Sequence, residues 1–455
     1  MKHIPVIVAL CAVSAGCTTF RTYERPAEVS APEGLFGDSV VTGDTATIAS
    51  VPWHEFFTDS YLQALIDSAM ANNADLAVAQ LRVAEAEATL KAGRMAYLPS
   101  VSFNGQGTAA RYGSDGAPGT YSLGLSAEWE PDITGRITAQ KRGAEAALMQ
   151  ERCYRQAVSA QLVATVANSY YSLLALDSQI DISRRSLGAW DDIIRTLGAR
   201  KEAGESNAAA VAQARASRME VENTILKLTQ QIRATENSLC MVLGRVPGHI
   251  ERGDLMEQTS PDTLAVGVPL QMLDNRPDVR QAEYALQAAF YATNVARAAF
   301  YPSLTLSGAA GWTNSSGAAI VNPGELLLSA VGSLVQPLFN RGRNKANLEI
   351  ARARQQEALI TFRQKLLEAG ADVNDALTQW QTAGERLRVS ASRIEELEEA
   401  VRCTRLLMTY SDSGSYLEVL TAQQTLLSAQ LTAAQQTFDR LQGVVKLYHA
   451  LGGGR

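Results

Sequence analysis

Arg94-Met-Ala-Tyr-Leu-Pro-Ser100 and Arg297-Ala-Ala-Phe-Tyr-Pro-Ser303 stand 203 residues apart and set the architecture of the chain. The same offset pairs Asp75 with Asp278, Ala79 with Ala282, Ala96 with Ala299 and Gly105 with Gly308. The chain is therefore one unit written twice, an internal two-fold repeat. In each copy an Ala-rich helical stretch stops before the Pro, which biases its predecessor toward extended backbone. An alternating stretch follows. A second landmark then recurs, Glu130-Pro-Asp-Ile-Thr-Gly-Arg136 against Gln336-Pro-Leu-Phe-Asn-Arg-Gly-Arg343, and each opens a very long helical segment.

The long helices are expected over about 136–200 and 343–410, ending at the Gly-bearing breaks Glu202–Ser206 and Ser411–Ser415. Shorter helices follow over about 208–243 and 417–451. About 65 residues at about 1.5 Å rise span about 100 Å. The helix from about 75 to 98 and that from about 208 to 243 together span about 90 Å, so stacked end to end they match one long helix. Val158, Leu162, Val166, Leu173, Leu176 and Ile180 recur at threes and fours, the pattern of a packed helix face.

Tyr121-Ser-Leu-Gly-Leu-Ser-Ala-Glu-Trp129-Glu alternates strictly, with Tyr121, Leu123, Leu125, Ala127 and Trp129 on one face and Ser122, Gly124, Ser126, Glu128 and Glu130 on the other. Its length, polarity and terminal aromatics suit a transmembrane β-strand, and a soluble sheet buried on one side carries the same alternation. Val101–Thr108 is its partner, across the polar loop Arg111–Thr120. The second copy supplies Leu304–Trp312 and Leu326–Gln336, and the outward face of the last is ambiguous. Four strands cannot close a membrane barrel, and an open sheet edge cannot sit in lipid. Transmembrane strands here require oligomerisation: two copies give eight strands and three give twelve.

The 455 residues carry 41 Lys+Arg and 47 Asp+Glu, a formal net charge of −6, with no basic stretch, which argues against nucleic acid. At the N-terminus Lys2, the apolar run Ile4–Val13 and Ser14-Ala15-Gly16 before Cys17 form a secretory signal over residues 1–16. The Cys after small residues resembles the lipobox of bacterial lipoproteins, in which Cys17 becomes the first residue and carries lipid. Thr18 in place of Asp implies, by the same resemblance, sorting to the outer membrane. Residues 17–57, with Pro26, Pro32 and Pro52, are expected to run as an extended, lipid-anchored segment. Cys153, Cys240 and Cys403 fall in helical patterns and read as small hydrophobes. No apolar run reaches the length of a transmembrane helix.

Catalytic chemistry has no foothold. The four His are far apart, and His54-Glu55 lacks a second His at helical spacing. Gly452-Gly-Gly454 opens no helix and is expected to be a frayed tail. Glu395-Glu-Leu-Glu-Glu399 reads as a solvated helical face. The chain reads as a non-enzyme with no cofactor and no metal.

Helix, Leu-Pro-Ser, strand pair, long helix, break and helix, repeated after a lipobox, resembles the outer-membrane efflux protein (TolC-like) family, in its lipoprotein branch serving drug-efflux systems. The marks are Tyr97-Leu-Pro-Ser100, Tyr301-Pro-Ser-Leu304, Asn275-Arg-Pro-Asp-Val279 and Tyr416-Leu-Glu-Val-Leu-Thr-Ala-Gln423. The resemblance implies a mainly α fold with a small β part: a long α-helical barrel plus four transmembrane β-strands per chain, closed as a barrel in a homotrimer. It implies repeats over 58–257 and 258–455, and a passive conduit for small molecules. A periplasmic adaptor and an inner-membrane transporter of the resistance-nodulation-division class would complete the system. Protein or peptide export through a related trimer is the alternative, and a lipid-anchored coiled-coil rod with no pore is a third reading.

The same resemblance places the periplasmic tips, with gate and adaptor contacts, at the breaks around Gly204 and Gly414. Glu418 matches an acidic residue lining the constricted pore, Thr421 stands where Asp is common, and Tyr410 matches a tip Tyr whose acidic partner is replaced here by Ala210. A carboxylate in the first turn of a helix is also simply favoured by the helix dipole.

Overall fold

The computed structural model describes residues 21–26, 48–108, 120–258, 275–313, 325–410 and 416–454. The signal segment, Cys17, Gly414 and the loops after the first and third strands lie outside the described residues. In chain order the elements are α1 (Trp53–Phe56), α2 (Ser60–Asn72), α3 (Ala74–Met95), β1 (Ser100–Thr108), β2 (Thr120–Trp129), α4 (Arg136–Glu202) and α5 (Ala208–Val242). There follow α6 (Pro277–Ala298), β3 (Ser303–Thr313), β4 (Glu325–Val335), α7 (Arg343–Tyr410) and α8 (Tyr416–Ala450). The long helices α4 and α7 have 67 and 68 residues. None of the described helices is long and apolar enough to cross a membrane.

The chain divides into two compact units. The first joins Met1–Ser30, Leu81–Cys153 and Arg280–Gln364. Its sheet has the order β1-β2-β3-β4, antiparallel throughout, so the two copies of the strand pair meet at β2 and β3. Each pair is fastened to its helices by short-range chemistry. The Asp132 carboxylate accepts from Ile137 N at 2.9 Å and Thr138 N at 2.8 Å, capping α4 where its first amides lack partners. That is the physical content of the Glu-Pro-Asp landmark, and Arg136 closes it by pairing with Glu130 at 2.6 Å. In the second copy Asn344 Nδ2 donates to Ala299 O and Gln336 Nε2 to Phe300 O. Residues 21–26 lie against α6: Arg25 forks onto Glu283 with both bonds at 2.7 Å, Asn294 donates to Arg21 O, and Tyr23 packs edge-on against Phe290.

The second unit joins Ala31–Gln80, Tyr154–Val279 and Lys365–Arg455. Its larger core sets Val166, Tyr170, Leu173 and Leu174 of α4 against Leu62 and Ile66 of α2, Leu239 of α5 and Val445 of α8. A second core joins Trp190 and Leu197 of α4 to Ala210 and Val211 of α5, Met408 of α7, and Val419 and Leu420 of α8. Cys153 and Cys240 are buried and Cys403 half-buried, all as free thiols.

The short helices abut end to end within this unit. Gly244 and Gly452 close α5 and α8 at φ 65° and 91°, and a Cβ there would come within 2.5 Å of Asn72 O and 2.7 Å of Asn275 O. Only glycine permits that approach with that backbone. Each cap carries the paired bonds of a Schellman turn: Arg245 N to Cys240 O and Gly453 N to Tyr448 O. The Gly452–Gly454 segment is not frayed. It is buried, and a Cβ on Gly453 would strike the Tyr448 ring at 2.5 Å. Glycine here permits close packing rather than fraying.

Candidate channel wall and helix-turn sites

Register settles the faces of the sheet. Phe103 pairs with Leu125, Leu125 with Ala310, and Ala310 with Leu328. Leu123, Trp312 and Leu326 form another row, as do Trp129, Leu306 and Gly332. Directly paired residues share a face, so the apolar face of β4 carries Leu326, Leu328, Ala330, Gly332 and Leu334. Alternation alone left that strand ambiguous because Val331 and Val335 are apolar on its other face. Leu125 is 54% exposed and Leu328 71%, and among the described residues nothing covers this apolar face.

The opposite face is polar. Ser102 Oγ and Ser126 Oγ share a bond of 2.8 Å, and Asn104 Nδ2 donates to Ser126 Oγ at 2.8 Å. Ser307, Ser329, Thr305 and Ser333 continue it by register. Trp129 Nε1 donates to Tyr97 O at 2.9 Å, so the indole keeps a polar anchor beside an apolar face, as an interfacial aromatic does. At the centre of the sheet Gly124 faces Gly311, where a Cβ on Gly311 would meet Leu123 O at 2.5 Å.

At the helix-turn end of the second unit, Gly204 sits at φ 82° with open space around it, ending α4 through bonds from Glu205 N to Arg200 O and Gly204 N to Lys201 O. Asn207 then caps α5 by accepting from Ala210 N at 2.9 Å. Arg200 braces this turn, pairing with Glu205 and donating to Met408 O of α7. Ala210 is fully buried, and Tyr410 is 84% exposed. Glu418 in the first turn of α8 and Thr421 one turn on are both exposed, with Val419 and Leu420 between them buried. Glu418 and Thr421 thus share one solvent-facing edge of α8, on which Gln424, Ser428, Thr432 and Gln435 are also exposed. Tyr410 lines a separate groove between α4, α7 and α8 that includes neither Glu418 nor Thr421.

Two buried ionic nodes hold this unit together, one at the Asn275–Val279 mark and one, at Glu236, that no sequence motif announces. Arg276 is 5% exposed and spends its guanidinium on Asp278 (2.7 Å), Asp372 (2.9 Å) and the carbonyl of Ala450 (3.1 Å). It ties the start of α6 to the end of α8 and to α7. Burial raises the carboxyl of Asp278, but the Arg276 bond and charge outweigh it and hold it below the usual range. Burial, and then Arg276, push His449 down. Asn73 holds the equivalent place in the first copy, donating to Val242 O at 2.9 Å while accepting from Leu76 N. The signal was available: the offset that aligns the repeats places Asn73 on Arg276. The second node is Glu236, fully buried, which accepts from Arg252 at 2.7 Å, His249 at 2.9 Å and Ile250 N at 3.4 Å. Arg252 also clasps Asp177. This node pins the segment after α5 to α4 and α5. Among the described residues no group of three His, Cys, Asp or Glu could hold a metal.

An exposed apolar sheet face backed by a polar one is the pattern of strands that meet lipid on one side and water on the other. The chain belongs to the outer membrane efflux protein family, whose sequence profile matches residues 65–245 and 268–453. It is 29% identical over 457 residues to the cation efflux system protein CusC of Escherichia coli O6:H1, covering 100% of this chain and 98% of that protein. It is 29% identical over 449 residues to the probable outer membrane lipoprotein SilC of Salmonella typhimurium, covering 97% and 96%. The open-state crystal structure of the MtrE outer membrane channel of Neisseria gonorrhoeae superposes with a TM-score of 0.85 at 26% identity, over 96% of this chain and 98% of that one. The chain is an outer-membrane efflux protein.

Proposed function

We propose that three copies close into one twelve-strand barrel and form the exit duct of a tripartite efflux system, fed by an inner-membrane transporter through a periplasmic adaptor. The observation that carries this is the four-stranded sheet itself. It has one continuous apolar face, one polar face, and edges at β1 and β4 with no strand partner among the described residues. In hydrocarbon such edges must be paired, and a second copy supplies the complementary strand. Cys17 is the proposed lipid attachment point: Arg21 is fixed on Asn294 near the strand end of α6, and four residues reach at most about 14 Å beyond it. The name of SilC supports a lipoprotein assignment.

The proposed constriction is a ring of three Glu418 carboxylates, with Thr421 one turn away and Tyr410 as the third constriction residue, and with Gly204 and Gly414 as the adaptor contacts. Such a ring attracts cations, and its mutual repulsion opposes full ionisation. The duct passes small solutes, and cations are the class that the carboxylate ring and the name of CusC both favour. Native mass spectrometry of the detergent-solubilised protein tests the assembly: a lipid-modified trimer is expected, and a monomer or dimer carrying an unmodified N-terminus overturns it.

A further inference from the structure

Two segments are fastened to one turn of α6, and each brings an arginine with it. Asn294 Nδ2 donates to Arg21 O at 2.8 Å, and Thr293 Oγ1 donates to Ala351 O at 3.2 Å, both from buried side chains. Arg297 lies three and four residues further along, on the helix face of those two donors and in the last turn. Arg21 of the N-terminal segment, Arg297 of α6 and Arg352 of α7 therefore converge, all within the first unit. The nearby Arg25 is matched by Glu283, whereas none of these three has a carboxylate within salt-bridge distance among the described residues.

Burial, and then the charges of Arg21 and Arg352, push the Arg297 guanidinium down from its ordinary value. The dipole of α6 favours one cation in its last turn, but it does not account for two more brought beside it. The first copy shows the difference. The repeat offset places Arg94 on Arg297 and Leu90 on Thr293, and the helix starts Arg136 and Arg343 place Glu145 on Arg352. Leu90 and Ala144 share a small core there, as Thr293 meets Ala351 here, so the two copies correspond in space. A carboxylate paired with Lys141 and Arg142 thus stands where the second copy has a cation. The positive cluster is built in the copy on which the N-terminal segment docks.

The cluster lies at the end of the sheet where α6 leads into it. Arg297 is six residues before Ser303, which pairs with Val335. Phe300 and Tyr301, between α6 and β3, and Leu338 and Phe339, between β4 and α7, stand exposed at that end. They form an aromatic and apolar belt of the kind that marks a bilayer surface. Guanidinium groups just outside such a belt stand at the depth of lipid headgroups, and their planar forks fit phosphate oxygens. We propose that Arg21, Arg297 and Arg352 form a binding site for the phosphate of an anionic phospholipid. The site holds one headgroup per chain beside the docked N-terminal segment. The inference rests on the barrel reading for the depth of the cluster.

Native mass spectrometry of the full-length protein in detergent reads trimer mass and retained lipid in one spectrum, so failure of the barrel reading is distinguishable from failure of this site. The probes are phosphatidylglycerol and phosphatidylcholine, whose choline cancels the phosphate charge. The parent should bind phosphatidylglycerol at least about tenfold more tightly. One arginine beside an anionic lipid is worth about fivefold in affinity. Arg297→Gln and Arg352→Gln should each weaken phosphatidylglycerol by about that factor, and the three Gln changes together by about a hundredfold. Arg94→Gln, at the matching place in the first copy, should bind as the parent does. Arg352 is exposed on α7, so its variant keeps the test open should Arg297→Gln fail to assemble. Equal retention of the two lipids, parent-like binding by Arg352→Gln, or an equal loss in Arg94→Gln overturns the proposal. So does displacement of the lipid by free glycerol phosphate at equal concentration, which marks a free-anion site. A trimer that dissociates in Arg352→Gln while keeping its lipid preference also overturns it and marks a contact between copies.

Discussion

Replacing Arg276 by Met keeps the stem's apolar volume and removes the guanidinium that joins α6, α7 and α8. Arg276 side chain is 6% exposed, so the loss is not relieved by water at that point. Breaking a buried pair costs about 3–5 kcal/mol. Asp278 and Asp372 are 34% and 56% exposed and recover some hydration, which argues for the lower end, about 3 kcal/mol. Two carbonyls, Ala450 O and Ala369 O, lose a donor as well. The repeat supplies an internal control. Asn73→Ala removes one neutral bond to Val242 O and one cap on α3, about 1 kcal/mol each. Local opening governs amide exchange, and each 1.4 kcal/mol is tenfold. Exchange at Leu447–Gly452 should therefore quicken by about a hundredfold or more in Arg276→Met, and at Leu239–Gly244 by about thirtyfold in Asn73→Ala. Unchanged exchange near Gly452, or a larger effect from Asn73→Ala, would refute the anchoring role of Arg276.

Leu125→Arg, on the apolar face, should lose assembled trimer from the outer membrane, because Arg near the bilayer midplane costs about 2–4 kcal/mol per chain. Ser329→Arg, on the polar face, should assemble at the parent level, and equal yields for the two would invert the face assignment. Gly311→Val should abolish assembly because a Cβ meets Leu123 O at 2.5 Å, while Gly308→Ala, with its nearest neighbour at 3.7 Å, should be tolerated. Asp278 is held below its unfolded value, so its contribution is present above the unfolded carboxylate range and is lost as pH falls through the depressed folded value. Exchange near Gly452 should thus accelerate under strong acid, and the acceleration should be smaller in Asp278→Asn, where Asp372 still pairs with Arg276.

The architecture was legible because its signals are periodic. The offset of 203 residues, the Pro stops and the strict alternation of Tyr121–Trp129 each impose a geometry on local sequence alone. What stayed hidden depends on partners distant in sequence. The face of β4 follows from its register on β3, not from its own composition. Arg276 stands in the Asn275–Val279 mark with no structural role assigned to it, because its partner carbonyl at Ala450 lies 174 residues on. The glycines of the tail read as flexible because the Tyr448 ring and Asn275 carbonyl that require them are supplied by packing. Glu418 and Thr421 lie on one exposed edge of α8, and the convergence about an axis proposed for them would be a property of three chains rather than one.

The duct is proposed to conduct through a constriction ringed by Glu418. Reversal potentials of the purified protein in planar bilayers under a salt gradient test it most directly. The parent should conduct with cation preference, Glu418→Ala should lose most of that preference together with block by multivalent cations, and Glu418→Lys should prefer anions. A parent that opens no channel contradicts the duct, and a parent that conducts with a preference unmoved by Glu418→Lys removes Glu418 from its constriction.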